Sequence, residues 1–141
     1  MEERFSAALH GRARMWRVAL DKRLKHLGIG QSGWMTIAMI AKSAEPMSQR
    51  ALADLVGVEG PSMVSMLDRL ERDGFVTRAP STTDRRVKLV QLTDAGSRIY
   101  DEVRTEALGF RTDLLQGLDP HVLAAATELL ERLRQQIEDS L

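Results

Sequence analysis

The stretch SQRALADLVGVEGPSMVSMLDRLERDG, residues 48–74, holds two complete helix signals in tight succession. Ser48 is the type of residue that caps a helix N-terminus. Ala51, Leu52 and Leu55 follow as an apolar inner face, and Gly57 stops the run and supplies a turn. Gly60-Pro61 starts a second helix, because proline fits the first turn, where its missing N–H has no intrahelical partner. That helix turns Met63, Val64, Leu67 and Leu70 one way and Ser62, Ser65 and Arg69 the other. Gly74 stands where a C′ glycine closes a helix. Helices this short are marginal in isolation, so the pair must be buried against other elements, and this requirement constrains the fold more than any other part of the chain.

Two runs of strand composition come next, FVTRA and VKLVQL. The second alternates, with Val87, Leu89 and Gln91 on one side and Lys88, Val90 and Leu92 on the other. Between them PSTTDR is turn chemistry. The pattern predicts a two-stranded hairpin with a long tip. Four cations, Arg78, Arg85, Arg86 and Lys88, fall on this short segment with one acid, Asp84, in a chain that balances 20 Lys+Arg against 20 Asp+Glu.

The flanks read as helices. Phe5, Leu9, Trp16, Leu20, Leu24 and Leu27 form one stripe from about residue 3 to 26, ended by Gly28 and Gly30. Ser32 is the expected N-cap of a nearly all-apolar second helix, closed by SAEP because the residue before Pro46 is driven out of helical geometry. Thr93 caps a long helix carrying Ile99, Val103 and Ala107, then Phe110, Leu114 and Leu118, with a bend expected at Gly109. Asp119-Pro120 opens a last helix striped by Val122, Ala126, Leu129, Leu133 and Ile137.

A chain of 141 residues can bury a core without staples. It has no cysteine, which removes disulfides and thiolate chemistry, and its three histidines lie far apart, so a metal site is not expected. No 18-residue apolar run and no signal-like h-region occur, which leads to the expectation of a cytoplasmic protein. No nucleophile–base pair or glycine-rich phosphate loop is legible, and no enzyme activity or cofactor is expected. Neutrality conceals an asymmetry: residues 1–100 carry 16 Lys+Arg against 11 Asp+Glu, whereas 101–141 carry 4 against 9.

Two short helices joined by a glycine turn and followed by a cationic hairpin make a winged helix-turn-helix. The predicted fold is mainly α with a small β-hairpin wing. Residues 31–98 form the winged part, and 1–27 and 99–141 form helical segments for dimerisation within a single domain. In such a fold the second helix enters a DNA major groove, where Gly60, Ser62, Ser65 and Arg69 would face the duplex. Arg85, Arg86 and Lys88 would reach along the wing toward a minor groove, with Asp84 orienting a guanidinium. LDRLERDGFVTR and DRRVKLVQLTDAG resemble the MarR family of bacterial transcription regulators, the latter matching its Asp-x-Arg wing at Asp84 and Arg86 and its Leu-Thr helix start, and the resemblance makes Pro61, Ser62 and Ser65 the exposed, DNA-binding start of the recognition helix. RMWRVALDKRLKHLGIGQSGW is further similar to the SlyA-like branch. The resemblance implies an obligate homodimer on a pseudo-palindromic operator in double-stranded DNA, usually a repressor, and often released by small aromatic or phenolic acids. One departure stands out: SlyA-like proteins often have a basic residue where this chain has Ser65.

The apolar stripes at both ends exceed what a winged helix can cover. They pack on one another within the chain, or they interleave with a second copy. The two-fold dimer would set its recognition helices about 34 Å apart, one DNA turn. Arg14, Arg17 and Trp34 are the candidate effector-binding residues, an aromatic wall with guanidinium gates suiting a flat carboxylate. The competing reading makes Trp34 plain core and the arginines a solvated or interface face. Trp16 fits dimer core, and His10 and His26 fit ordinary surface or interface positions. The alternative function is a winged helix for protein–protein contact without DNA. Such modules typically lose the wing cations, which this chain keeps.

Overall fold

The computed structural model describes residues 1–141. Helix α1 (Glu2–Leu24) runs into a single 3-10 turn, Lys25–Leu27, and is followed by α2 (Gly30–Lys42). Then come β1 (Met47–Ser48), α3 (Gln49–Val56), α4 (Gly60–Arg72), β2 (Val76–Pro80), β3 (Lys88–Leu92), α5 (Asp94–Leu115) and α6 (Pro120–Ser140). The chain forms two compact units, residues 1–110 and 111–141. No helix is long and apolar enough to cross a membrane.

The first unit holds the core. Leu24, Ile37, Leu52, Met63, Leu67, Leu70, Val76 and Val90 are all at most 2% exposed. They come from α1, α2, α3, α4 and two strands, so each short helix is held by its neighbours rather than by its own propensity. Trp16 meets Phe110 edge to face at 5.0 Å between ring centroids. The single buried polar side chain, Thr36, donates from Oγ1 to the Ser32 carbonyl at 2.6 Å.

Local signals account for most boundaries. Ser48 Oγ accepts from the Ala51 N–H, capping α3. Gly57 takes φ 77°, a left-handed conformation that other residues adopt only at a cost, and its N–H closes on the Ala53 carbonyl. Thr93 Oγ1 accepts from Gly96 N at 3.0 Å and donates to the Gly74 carbonyl at 2.6 Å, so one hydroxyl both caps α5 and joins it to the end of α4. Asp119 accepts from His121 N at the start of α6.

The structure departs from the sequence expectations at five points. Leu55 is 55% exposed, because the inner face of α3 is centred on Leu52, Ala53 and Val56, leaving Leu55 about a quarter-turn outside it. Val64 is 40% exposed, and Met66 takes the half-buried place on α4 instead. Helix α2 begins at Gly30 with Ile29 at its cap and no side-chain cap bond, so Ser32 lies inside the helix. The hairpin gains a third strand: β1 pairs antiparallel with β3, Met47 opposite Val90, giving the order β1-β3-β2. Two residues are too few for any alternation to show. Gly109 makes no bend; α5 continues through it, and the position a Cβ would occupy lies 3.2 Å from the Arg23 guanidinium.

Gly96 is a close approach. A Cβ there would stand 2.0 Å from the Phe75 carbonyl oxygen, which also accepts from Thr93 N. Gly96→Ala is therefore expected to force the start of α5 off the sheet, destabilising the protein by about 1–3 kcal/mol. A thermal melt of the variant against the parent checks this.

Candidate nucleic-acid interface

The exposed side of α4 follows from helical spacing. Met63, Leu67 and Leu70 point into the core, which turns Pro61, Ser65, Asp68 and Arg72 to solvent, with Ser62 and Arg69 on one flank and Val64 on the other. Pro61 occupies the first turn. The hydroxyls of Ser62 and Ser65 make no intramolecular hydrogen bond, so both are free to donate or accept. The free N–H groups of the first turn add partial positive charge on the same side.

Pro61, Ser62, Ser65 and Arg69 line one shallow groove with Met66. Arg69 is partly engaged in it. Its Nη2 donates to the Ile29 carbonyl at 3.1 Å and lies 3.3 Å from Met66 Sδ, tying α4 to the turn before α2.

The wing separates its cations by role. Arg78, on β2, has only 17% of its side chain exposed. Its Nη2 lies 2.6 Å from both Asp68 and Glu71, its Nε donates to Glu71 at 3.2 Å, and its Nη1 donates to Gln49 Oε1 at 3.1 Å. It braces the wing against α4 and α3 and is spent in doing so. Arg86, at the tip, has 93% of its side chain exposed. Asp84 Oδ1 accepts from its backbone N–H at 3.0 Å and from its Nε at 3.3 Å, which aims the guanidinium outward. The tip is closed by Ser81 N on the Val87 carbonyl and Val87 N on the Asp84 carbonyl. Arg85 and Lys88 stand exposed beside it without partners.

The candidate effector residues do not converge. Arg14 lines an apolar groove along α1 with Gly11, Arg12, Met15, Val18, Ala19 and Lys22, and neither Arg17 nor Trp34 borders it. Arg17 is exposed on the same helix. Trp34 is 7% exposed within the core cluster, and its Nε1 donates to Asp21 Oδ1 at 3.0 Å.

Sequence reasoning passed over two exposed cations on this surface, Arg72 in the last turn of α4 and Arg50 in the first turn of α3. Arg72 follows Ser65 by seven residues, and that helical repeat was the signal available. Nothing in the composition marked Arg78 as a brace, since its carboxylate partners lie seven and ten residues away on another element.

A helix with a free polar face, beside a wing whose outer arginine is held by its own carboxylate, gives the architecture of a winged helix-turn-helix. The MarR family model matches residues 31–88. The transcriptional regulator PA3341 superposes with a TM-score of 0.87 at 36% identity, covering 96% of this chain and 98% of that one. SlyA, a transcriptional regulator, gives 0.80 at 19% identity, with 96% and 95% covered. CouR from Rhodococcus jostii RHA1, in a structure bound to p-coumaroyl-CoA, gives 0.77 at 24%, with 92% and 90% covered. The last two are likenesses of fold alone. The chain belongs to the MarR family of transcriptional regulators.

The Arg78 brace carries a pH signature. Its hydrogen bond holds the Glu71 carboxyl below the ordinary 4.5, and the same pairing raises the guanidinium in turn. A carboxyl depressed on folding stabilises the fold above its unfolded value, and that contribution is lost as pH falls through the folded value. Glu71→Gln is accordingly expected to be less stable than the parent at neutral pH. The gap should close well below 4.5, as measured by denaturant melts at both acidities.

Proposed function

We propose that the protein acts as a homodimeric repressor on a pseudo-palindromic operator in double-stranded DNA, with release by a small aromatic or phenolic acid. Pro61, Ser62, Ser65 and Arg69 face the major groove, Arg85, Arg86 and Lys88 contact the neighbouring backbone and minor groove, and Asp84 orients Arg86. The observation that carries this is the pairing of an almost fully exposed Arg86 with Asp84 at the wing tip, in a chain whose α4 carries two serines with no partner inside the protein. A cationic tip held ready in this way costs little to order on binding.

Residues 1–27 and 99–141 form the dimerisation part in this reading. Phe5, Leu9, Leu114, Leu118, Val122, Leu129 and Ile137 are all at least 37% exposed, and α6 buries none of its residues. A second copy covering these faces accounts for apolar surface on that scale. A two-fold arrangement presents two α4 helices to successive turns of one DNA face.

Arg86→Ala is expected to weaken binding to the operator and to reduce the log–log salt slope by about one unit for each phosphate left without its cation. Salt titration on a duplex recovered by selection from a random pool, with two chains per duplex confirmed by sedimentation, gives the readout. An unchanged slope removes the wing from the mechanism.

Of the effector candidates Arg14, Arg17 and Trp34, the proposal rests on Arg14, with support from the groove on α1 that it borders and from the aromatic acyl ligand of CouR. Arg14 is exposed, so Arg14→Ala leaves the core intact. The variant should keep DNA binding and need a several-fold higher concentration of an aromatic acid such as salicylate for release, read by fluorescence anisotropy of a labelled duplex.

A further inference from the structure

Val64 lies on a flank of the exposed side of α4, 40% accessible, with the rest of its surface at the edge of a groove it shares with Ala53 and Val58. A β-branched residue is a mediocre helix former, and this one lies outside the core, with two-fifths of its surface open. It stands on one flank of Pro61 and Ser65, as Ser62 stands on the other.

The two turns from Gly60 to Leu67 contain no lysine, arginine, asparagine or glutamine. These are the side chains that read purines bidentately in the major groove, arginine or lysine on guanine and asparagine or glutamine on adenine. Arg69, one turn further on, is drawn back onto the Ile29 carbonyl. What the leading end of α4 presents is two hydroxyls, which bond either partner of a base pair, and two apolar surfaces, Pro61 and Val64. In the major groove only thymine displays a methyl group for an apolar surface to cover.

We infer that Val64, together with Pro61, reads thymine methyl groups, so that each operator half-site is specified beneath the start of α4 by T·A pairs and not by guanine. This rests on the proposal that α4 enters the major groove. The two serines complete the surface by bonding base edges or phosphates that any of these pairs offers.

The test begins with duplexes selected by the full-length protein from a random pool. Each thymine of the recovered half-site is then replaced in turn by deoxyuridine, which removes one methyl and nothing else. The parent protein should lose affinity by about fourfold per methyl at one or two positions, the worth of a single methyl-sized apolar group. Val64→Ala should bind the thymine and uracil duplexes equally at one of those positions. Because the uracil substitution changes only the DNA, its result does not depend on how well the variant folds.

Indifference of the parent protein to every uracil substitution overturns the inference while leaving DNA recognition standing. So does a half-site whose required pairs under α4 are G·C, or full methyl sensitivity retained at every position by Val64→Ala. Failure to enrich any duplex removes DNA recognition itself, and the inference with it.

Discussion

The guanidinium of Arg78 reaches from the base of the wing to Asp68 and Glu71 on α4 and to Gln49 on the helix before it. A two-stranded hairpin alone is marginal in water, and a wing that swung freely would have to be ordered each time it met DNA. Here one planar side chain fastens β2 to α3 and α4 at once, and β1 adds a third strand along β3. The spacing between helix face and wing tip is thus set within the first unit before any ligand arrives. Arginine suits this place better than lysine, since its fork meets two carboxylates and an amide together.

Apparent positive charge and available positive charge are different quantities on this surface. Arg78 is consumed by two acids, and Arg69 is tethered to a backbone carbonyl. Arg86 is directed by Asp84 yet remains open to solvent, and Arg50, Arg72, Arg85 and Lys88 are exposed. The free cations therefore lie at the wing tip, at the start of α3 and at the end of α4, and α4 itself is uncharged in its first two turns. In the proposed mode of binding, such a layout would give phosphate attraction at the rim and leave the centre to small polar and apolar contacts.

Much of the fold was legible because it is encoded locally. Ser48, Gly57, Thr93 and Asp119 each act within a turn of their own position, and each marks its boundary as the residue type foretells. The Asp84–Arg86 pair was equally legible, being two residues apart. Leu55 and Val64 were not, since a three-residue step is compatible with either edge of an apolar stripe, and only the packed neighbours choose which edge is covered. The two-residue strand β1 and the clearance at Gly96 depend on segments more than 20 residues away in one case and on Phe75 in the other.

By itself the sequence determined the order of the helices and of the two hairpin strands, the turn between α3 and α4, and the family to which the chain belongs, because capping, glycine conformation and the wing motif are short-range chemistry. Tertiary structure decided which cations are free. It turned Arg78 inward against acids seven and ten residues away, drew Arg69 back to Ile29, set Trp34 in the core on Asp21, and left Val64 facing out. Those outcomes depend on which surfaces meet when five helices and a small sheet close around one core, and distance along the chain does not fix distance in space.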